Sequence, residues 1–184
     1  MLVSVDLSLR SSGVCILDSK GNLIDFKIVA PSVKEFNNEE LLNYIAKDII
    51  GFVSQYEKNL KAVVIEGLAY AGKSSCKDMI SGNFWHLRCS LKERFGDIPC
   101  GVVSVSEWRG YVLNKEEQKE AKIRDKKTGL KNACVSKLPL EVREEFVRYI
   151  RDSKMKRESI YDLVDAYFLG IYRLTLNKEQ YCHL

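Results

Sequence analysis

The stretch VVIEGLAYAGKSS, residues 63–75, admits two readings that lead to different folds. Gly67 to Ser74 has the spacing G-x-x-x-x-G-K-S of a loop whose backbone amides cradle nucleotide phosphates. Glu66, just before it, is an acid closing an apolar run, Ala62 to Ile65, that reads as a buried strand. The first reading asks for a parallel nucleotide-binding sheet opening at this strand. The second asks for a sheet whose strand ends carry carboxylates.

The preceding sequence favours the second. Residues 2–6 (LVSVD) alternate and end in Asp6, Val14 to Leu17 and Leu23 to Val29 are further short apolar runs, and the turn cluster Asp18 to Asn22 separates the last two. Three short runs joined by tight turns predict an antiparallel meander, not the first strand of a parallel sheet. A phosphate loop also needs a later strand ending in an acid for Mg²⁺, and the best match is only Ser104-Val105-Ser106-Glu107.

Beyond the meander, Leu41, Leu42, Ile45, Ile49, Phe52 and Tyr56 recur at helical spacing after the cap candidates Asn37 and Asn38. Cys76, Ile80, Phe84, Leu87, Leu91 and Phe95 predict a second helix, with Ser75 and Asp78 as its capping box and Gly96 and Pro99 closing it. Gly82 inside it suggests a close helix contact. Cys100 to Val105 reads as a fifth strand. Residues 114–137 are highly charged and weakly patterned, which predicts a basic, flexible or DNA-ordered insertion. Pro139 opens a helix to about Arg151 with Val142, Phe146, Tyr149 and Ile150 inward, and a last apolar helix starts near Ser159. The expected fold class is α/β, a single domain over 1–184 with a five-stranded mixed sheet, the three antiparallel strands first, flanked by helices.

Composition sets further bounds. With 184 residues the chain can bury one proper core. No apolar run reaches the roughly 18 residues of a membrane helix, and MLVSVDLSLR lacks the layout of a signal peptide, so a cytoplasmic protein without membrane partners is expected. Six scattered cysteines without a C-x-x-C pair read as free thiols. The net charge of +4 is uneven: Arg109 to Arg157 holds 15 Lys/Arg against 8 Asp/Glu, an excess of seven that leaves the remainder acidic. A basic block on an acidic body is a nucleic-acid footprint.

The acids carry the chemistry. Asp6 and Glu66 end apolar runs, while Asp162 and Asp165 lie three apart on one face of a strongly apolar helix. An acid among apolar side chains is costly, and two side by side repel. Divalent cations, which prefer oxygen ligands, relieve both. Four such carboxylates suit two Mg²⁺ ions about 4 Å apart, the pair that clamps the attacking and leaving oxygens in displacement at phosphorus.

These motifs carry a resemblance. DLSLRSSGVCILD, with Asp6, Arg10 and Gly13, resembles the first strand and turn of RuvC-type Holliday junction resolvases, of the RNase H-like superfamily. IEGLAYAGKS is similar to their second acidic motif, and DLVDAYFLG to their closing D-x-x-D-A helix. The resemblance implies an RNase H-like fold, two Mg²⁺ ions replaceable by Mn²⁺, and a homodimer that nicks two strands of a four-way junction. It implies Asp6, Glu66, Asp162 and Asp165 as catalytic metal ligands, Asp6 bridging, and products with 5′-phosphate and 3′-hydroxyl ends. The chain departs from the pattern: Leu7-Ser8 stands where the family has Pro-Gly, the aromatic wedge is missing at Ala69 with Tyr70 next to it, and 114–157 is longer and more basic. A divergent, phage-type member fits these departures, with the host cytoplasm as its place.

For DNA phosphates the candidates are Arg10, Lys73, Lys77, Lys131 with its neighbours Lys126, Lys127 and Lys137, and the Lys154, Lys156, Arg157 cluster, with Tyr70 probing the branch. Trp85 and Trp108 read as core or interface residues, His86 as a surface or interface residue, and Glu158 as a solvated helix start. The alternatives are an RNase H-like nuclease acting on flaps or RNA–DNA hybrids, a non-enzymatic DNA-binding module, and a nucleotide-binding protein using Gly67 to Ser74. No nucleotide cofactor is expected.

Overall fold

A computed structural model describes residues 1–32, 36–68 and 77–176. The meander forms as expected. Strands β1 (Leu2–Asp6), β2 (Ser12–Leu17) and β3 (Leu23–Val29) pair antiparallel, with a register shift at Ile16/Leu17. The β2–β3 turn closes because Asp18 Oδ1 accepts the backbone N–H groups of Lys20 and Asn22, and Gly21 takes a φ of 89° that other residues resist. Two parallel strands, β4 (Ala62–Glu66) and β5 (Cys100–Val103), complete a mixed sheet of order β3-β2-β1-β4-β5.

Because β1 lies at the centre, both of its faces are covered, so its residues are buried whether odd or even. One face, with Val3, Val5, Val14, Ile16, Val63 and Ile65, packs against α1 (Asn38–Ser54) and α2 (Lys77–Phe95). The opposite face, with Leu2, Cys15, Leu17 and Val64, packs under α7 (Ile160–Thr175), supported by α3 (Val105–Val112) and α6 (Leu140–Asp152). The result is three layers with the sheet in the middle. Helix α1 starts at the predicted cap: Asn37 Oδ1 accepts the Glu40 N–H, and the Glu40 carboxylate accepts the Asn37 N–H. Gly82 does not mark an unusually close contact: a Cβ there would meet Leu42 Cδ1 of α1 at 3.5 Å, an ordinary packing distance.

Two segments differ from the sequence reading. Strand β5 ends at Val103, not Val105. Ser104 and Glu107 form a capping box and turn the chain into α3, because the reciprocal bonds satisfy amide groups that another β residue would leave to solvent. The charged stretch 114–137 forms two helices, α4 (Lys115–Arg124), capped by Asn114 and Glu117, and α5 (Gly129–Lys137). They approach so closely that a Cβ on Gly129 would stand 1.9 Å from the Ala121 carbonyl oxygen. The proposed Ser75 cap lies outside the described residues. Cys15, Cys89, Cys100 and Cys134 are free thiols, and no helix among the described residues is long and apolar enough to cross a membrane.

Candidate functional site

Parallel pairing sets Val5 of β1 beside Ile65 of β4, so Asp6 and Glu66 leave the sheet together at the same strand ends. In open α/β sheets this edge is where ligands bind. Asp6 also pairs with Gly13 of β2, and the first turn of α7 lies directly on that glycine: a Cβ there would come 2.0 Å from the Asp162 carbonyl oxygen. This close approach brings Asp162 and Asp165 over the strand ends. The structure therefore gathers the four acids singled out in the sequence, from β1, β4 and α7.

Their electrostatics show the crowding. The Asp6 carboxyl is pushed well above the usual range by burial first, then by the charges of Glu66, Asp165 and Asp162. It sits deep among protein atoms yet keeps a solvent-facing edge. Burial, then Asp165, raises Glu66 to about 7, against the opposing pull of Trp108, Arg109 and Lys131. Asp165 rises to about 6, chiefly from burial, with Arg109 and Lys131 opposing. Asp162 is raised by burial and partly restrained by Ser11. Perturbed carboxylates clustered at strand ends make a candidate functional site.

Three of the acids have one oxygen engaged by a neighbouring side chain. Trp108 Nε1 donates to Glu66 Oε2 at 3.0 Å, Ser11 Oγ donates to Asp162 Oδ2 at 2.5 Å, and Arg109 Nη2 stands 3.6 Å from Asp165 Oδ2. The buried Asp165 Oδ1 has no hydrogen-bond partner. A buried, unpartnered acceptor amid an all-oxygen donor set is what a hard divalent cation would satisfy. Among the described residues no group of three or more His, Cys, Asp or Glu is already gathered around an ion-sized point. The donor chemistry nevertheless fits Mg²⁺ or Mn²⁺, with Asp6, Glu66, Asp162 and Asp165 as the groups to hold it.

Sequence reasoning missed Trp108, Arg109 and Ser11. Trp108 is fully buried, as a core residue would be, but its indole N–H is committed to Glu66, and Arg109 lies 4.8 Å from its ring. The signal available was the Ser104/Glu107 capping box, which ends β5 early and turns α3 under the acids. Ser11 belongs to a serine network: Ser8 Oγ donates to the Ser11 carbonyl at 2.7 Å, Ser12 Oγ donates to the Ser8 carbonyl at 2.9 Å, and Asn83 Nδ2 reaches the same carbonyl at 3.4 Å. These bonds hold the turn where Leu7-Ser8 replaces Pro-Gly. Trp108→Phe, which keeps an aromatic ring but removes the donor, is expected to weaken Mn²⁺ binding about 10- to 100-fold, read by titration calorimetry. Unchanged affinity would mean the indole only fills space.

The cationic candidates fall into groups. Lys131, on α5, places its ammonium 5.3 Å from the Tyr161 ring, and its charge acts on all four acids. Arg10 is exposed in the turn leading to Ser11, and Lys77 is exposed at the start of α2. Lys154, Lys156 and Arg157 are exposed between α6 and α7, with Lys154 at a φ of 53°. Lys137 is tied to Glu117 at 2.5 Å within the α4–α5 pair. Glu158 is exposed. Tyr70 and Lys73 lie outside the described residues. Of the nucleotide-loop pattern, Gly67 is described, and its N–H is spent on the Val103 carbonyl at 2.8 Å.

Comparison with solved structures matches this architecture. The structure of Thermus thermophilus RuvC in complex with a Holliday junction substrate superposes with a TM-score of 0.60 at 9% identity, over 93% of this chain and 92% of that one. A second Thermus thermophilus RuvC structure gives a TM-score of 0.58 at 12% identity, over 93% of each chain. No protein-family model and no curated protein sequence matches. At such identities the likeness is one of fold, the fold that the sequence motifs implied.

Proposed function

We propose that this protein is a metal-dependent endonuclease that cuts branched DNA, with the four-way junction as preferred substrate, by phosphodiester hydrolysis leaving 5′-phosphate and 3′-hydroxyl ends. The observation that carries this is the convergence of Asp6, Glu66, Asp162 and Asp165 at one strand-end cleft, in a fold shared with a protein solved on a Holliday junction. When bound, two divalent cations supply a nucleophilic water at neutral pH and offset negative charge on the phosphate.

The chain's own residues do the rest. Asp6, Glu66, Asp162 and Asp165 would hold the cations, with Asp6 the acid on which the charges of the other three act. Trp108, Ser11 and Arg109 hold the outer oxygens of Glu66, Asp162 and Asp165, so that their other oxygens can face inward. Raised carboxyl pKa values mean that ion binding releases protons, coupling activity to pH. As the new phosphorus–oxygen bond forms and the bond to O3′ breaks, the Lys131 ammonium faces the negative charge that develops. Arg10, Lys77, Lys154, Lys156 and Arg157, with Lys73 and Tyr70 in the 69–76 segment, contact the strands through phosphate and branch. A homodimer would give the two paired cuts that resolve a symmetric junction.

Cleavage of a four-way junction should be measured with Mg²⁺ beside linear duplex, a flap and an RNA–DNA hybrid, with light scattering for the oligomer. Paired nicks in the junction, lost in EDTA, support the reading. Equal cutting of linear duplex removes the junction preference, and preferential cutting of the hybrid or flap moves the chain to another nuclease class. Lys131→Met is expected to slow single-turnover cutting by about 100-fold while junction affinity changes little, as seen by anisotropy. A loss confined to affinity would make Lys131 a plain phosphate contact.

A further inference from the structure

Outside the carboxylate cleft, the most developed feature is a cavity of about 760 Å³ between α5, α6 and the start of α7. Its size falls in the range of small-molecule pockets, too small for a duplex. Two properties distinguish it from an ordinary surface groove. Its apolar lining includes Val147, left 51% exposed, and Met155. Its rim is predominantly cationic: Arg143, Arg151 and Arg157 line it against the single acid Glu158. Of these, Arg151 is paired with Asp152 at 2.9 Å, whereas Arg143 and Arg157 have no acidic partner among the described residues.

The cavity also borders the site. Tyr161 lines it and is the neighbour of Asp162 in the chain. Lys131 stands over the Tyr161 ring, and the Tyr161 hydroxyl donates to Asn132 Oδ1 at 2.7 Å, fixing the ring at the cavity's edge beside the lysine whose charge acts on the acids.

We infer that this cavity receives one nucleotide of the strand being cut, displaced from its stack at the branch point. This rests on the reading of the carboxylate cleft as a DNA-cutting centre. The base packs on Val147, Met155 and the Tyr161 ring, and its phosphate is gripped by Arg143 and Arg157, whose planar guanidinium groups match phosphate oxygens. Apolar and aromatic surface accepts a base face, and enzymes that handle single bases extrude them in this way. At a branch point stacking is already interrupted, so displacement costs less. The consequence is that cutting position depends on base identity through a pocket built by α5 and α6.

The test uses the whole chain and four-way junctions carrying 2-aminopurine at successive positions around the branch, bound in EDTA so that nothing is cut. One position is expected to brighten on binding to the wild type, and Met155→Trp, which fills the cavity, should abolish that rise with affinity held within about threefold. The paired substitution Arg143→Ala with Arg157→Ala should also suppress it and covers the case in which Met155→Trp does not fold. With Mg²⁺ restored, Met155→Trp should lose roughly tenfold in discrimination among the four bases at that position. Brightening at no position, or brightening and base preference that both persist in the variants, overturns the inference while leaving the nuclease reading intact. Failure to bind any branched DNA overturns both.

Discussion

Asp6→Asn should reduce cutting by about 1000-fold or more and, in the absence of metal, make the protein more stable. Both effects come from the same charge. Asp6 lies where burial and three neighbouring carboxylates all disfavour its ionised form. On the proposed mechanism, removing the Asp6 carboxylate withdraws electrostatic stabilisation from the reacting phosphate, an effect of roughly 100- to 1000-fold for one donor and larger for a group that would serve two ions. Removing its charge relieves repulsion that the metal-free fold otherwise bears, the usual opposition of activity and stability at a built site. The pH dependence follows from the raised values of Glu66, about 7, and Asp165, about 6. Between about 4.5 and 7 the folded state keeps protons that the unfolded chain has released, so stability falls as pH rises through that window. After allowance for the solvent that reaches Glu66 the effect is on the order of 1–2 kcal/mol, or several degrees in melting temperature. Melting in EDTA at pH 5 and pH 8 should therefore show the higher temperature at pH 5. In Asp6→Asn the gap should narrow and the whole curve should shift upward. With saturating Mg²⁺ the wild-type order should reverse, because cation binding requires the deprotonated acids. An Asp6→Asn protein that cuts at the wild-type rate sinks the mechanism.

The acids were legible because each interrupts a pattern. Asp6 and Glu66 stop apolar strands, and Asp162 and Asp165 break the apolar face of α7, so local periodicity alone flags them. What escaped depends on tertiary contact. Val102-Val-Ser-Val105 looks like a strand throughout, yet the Ser104 cap ends β5 and sends Trp108 beneath Glu66, a placement no local period reveals. The stretch 114–137 lacked an apolar stripe for a physical reason: its two helices meet through small residues. Ala121, Gly129 and Cys134 are their buried positions, and backbone contact at Gly129 does what large side chains do elsewhere. Charge counting marked this segment as basic but could not choose among its lysines. Only the fold of α5 against α7 selects Lys131, which faces the acids, over Lys137, which is bound to Glu117.

Gly13→Ala is the substitution expected to cost the most stability. The added Cβ would lie 2.0 Å from the Asp162 carbonyl oxygen, 2.4 Å from its carbon and 2.9 Å from the Leu163 nitrogen. All three are backbone atoms, so no side chain can rotate away. Relief requires α7 to lift from β2 by about an ångström, in a core that deforms poorly. Overpacking of this kind costs about 3 kcal/mol or more, a large part of the roughly 5–15 kcal/mol available to a domain. The melting temperature should drop by about 6–12 °C. Gly82→Ala is the control: its Cβ meets only Leu42 Cδ1 at 3.5 Å, an ordinary contact, and helix propensity should yield a gain of up to about 1 kcal/mol. Thermal melts of the two variants against wild type make the comparison. The two alanines separate the general effect of removing a glycine from the specific demand at Gly13. That demand is functional as well as structural. Gly13 is the strand partner of Asp6, and the absence of a side chain there lets the turn carrying Asp162 lie against β2, where Ser11 fixes its carboxylate. Any lift of α7 moves Asp162 and Asp165 away from Asp6 and Glu66, so whatever folded Gly13→Ala remains should bind Mn²⁺ more weakly than wild type. A variant that melts and binds like wild type would show that the approach of α7 to β2 is not what assembles the four carboxylates.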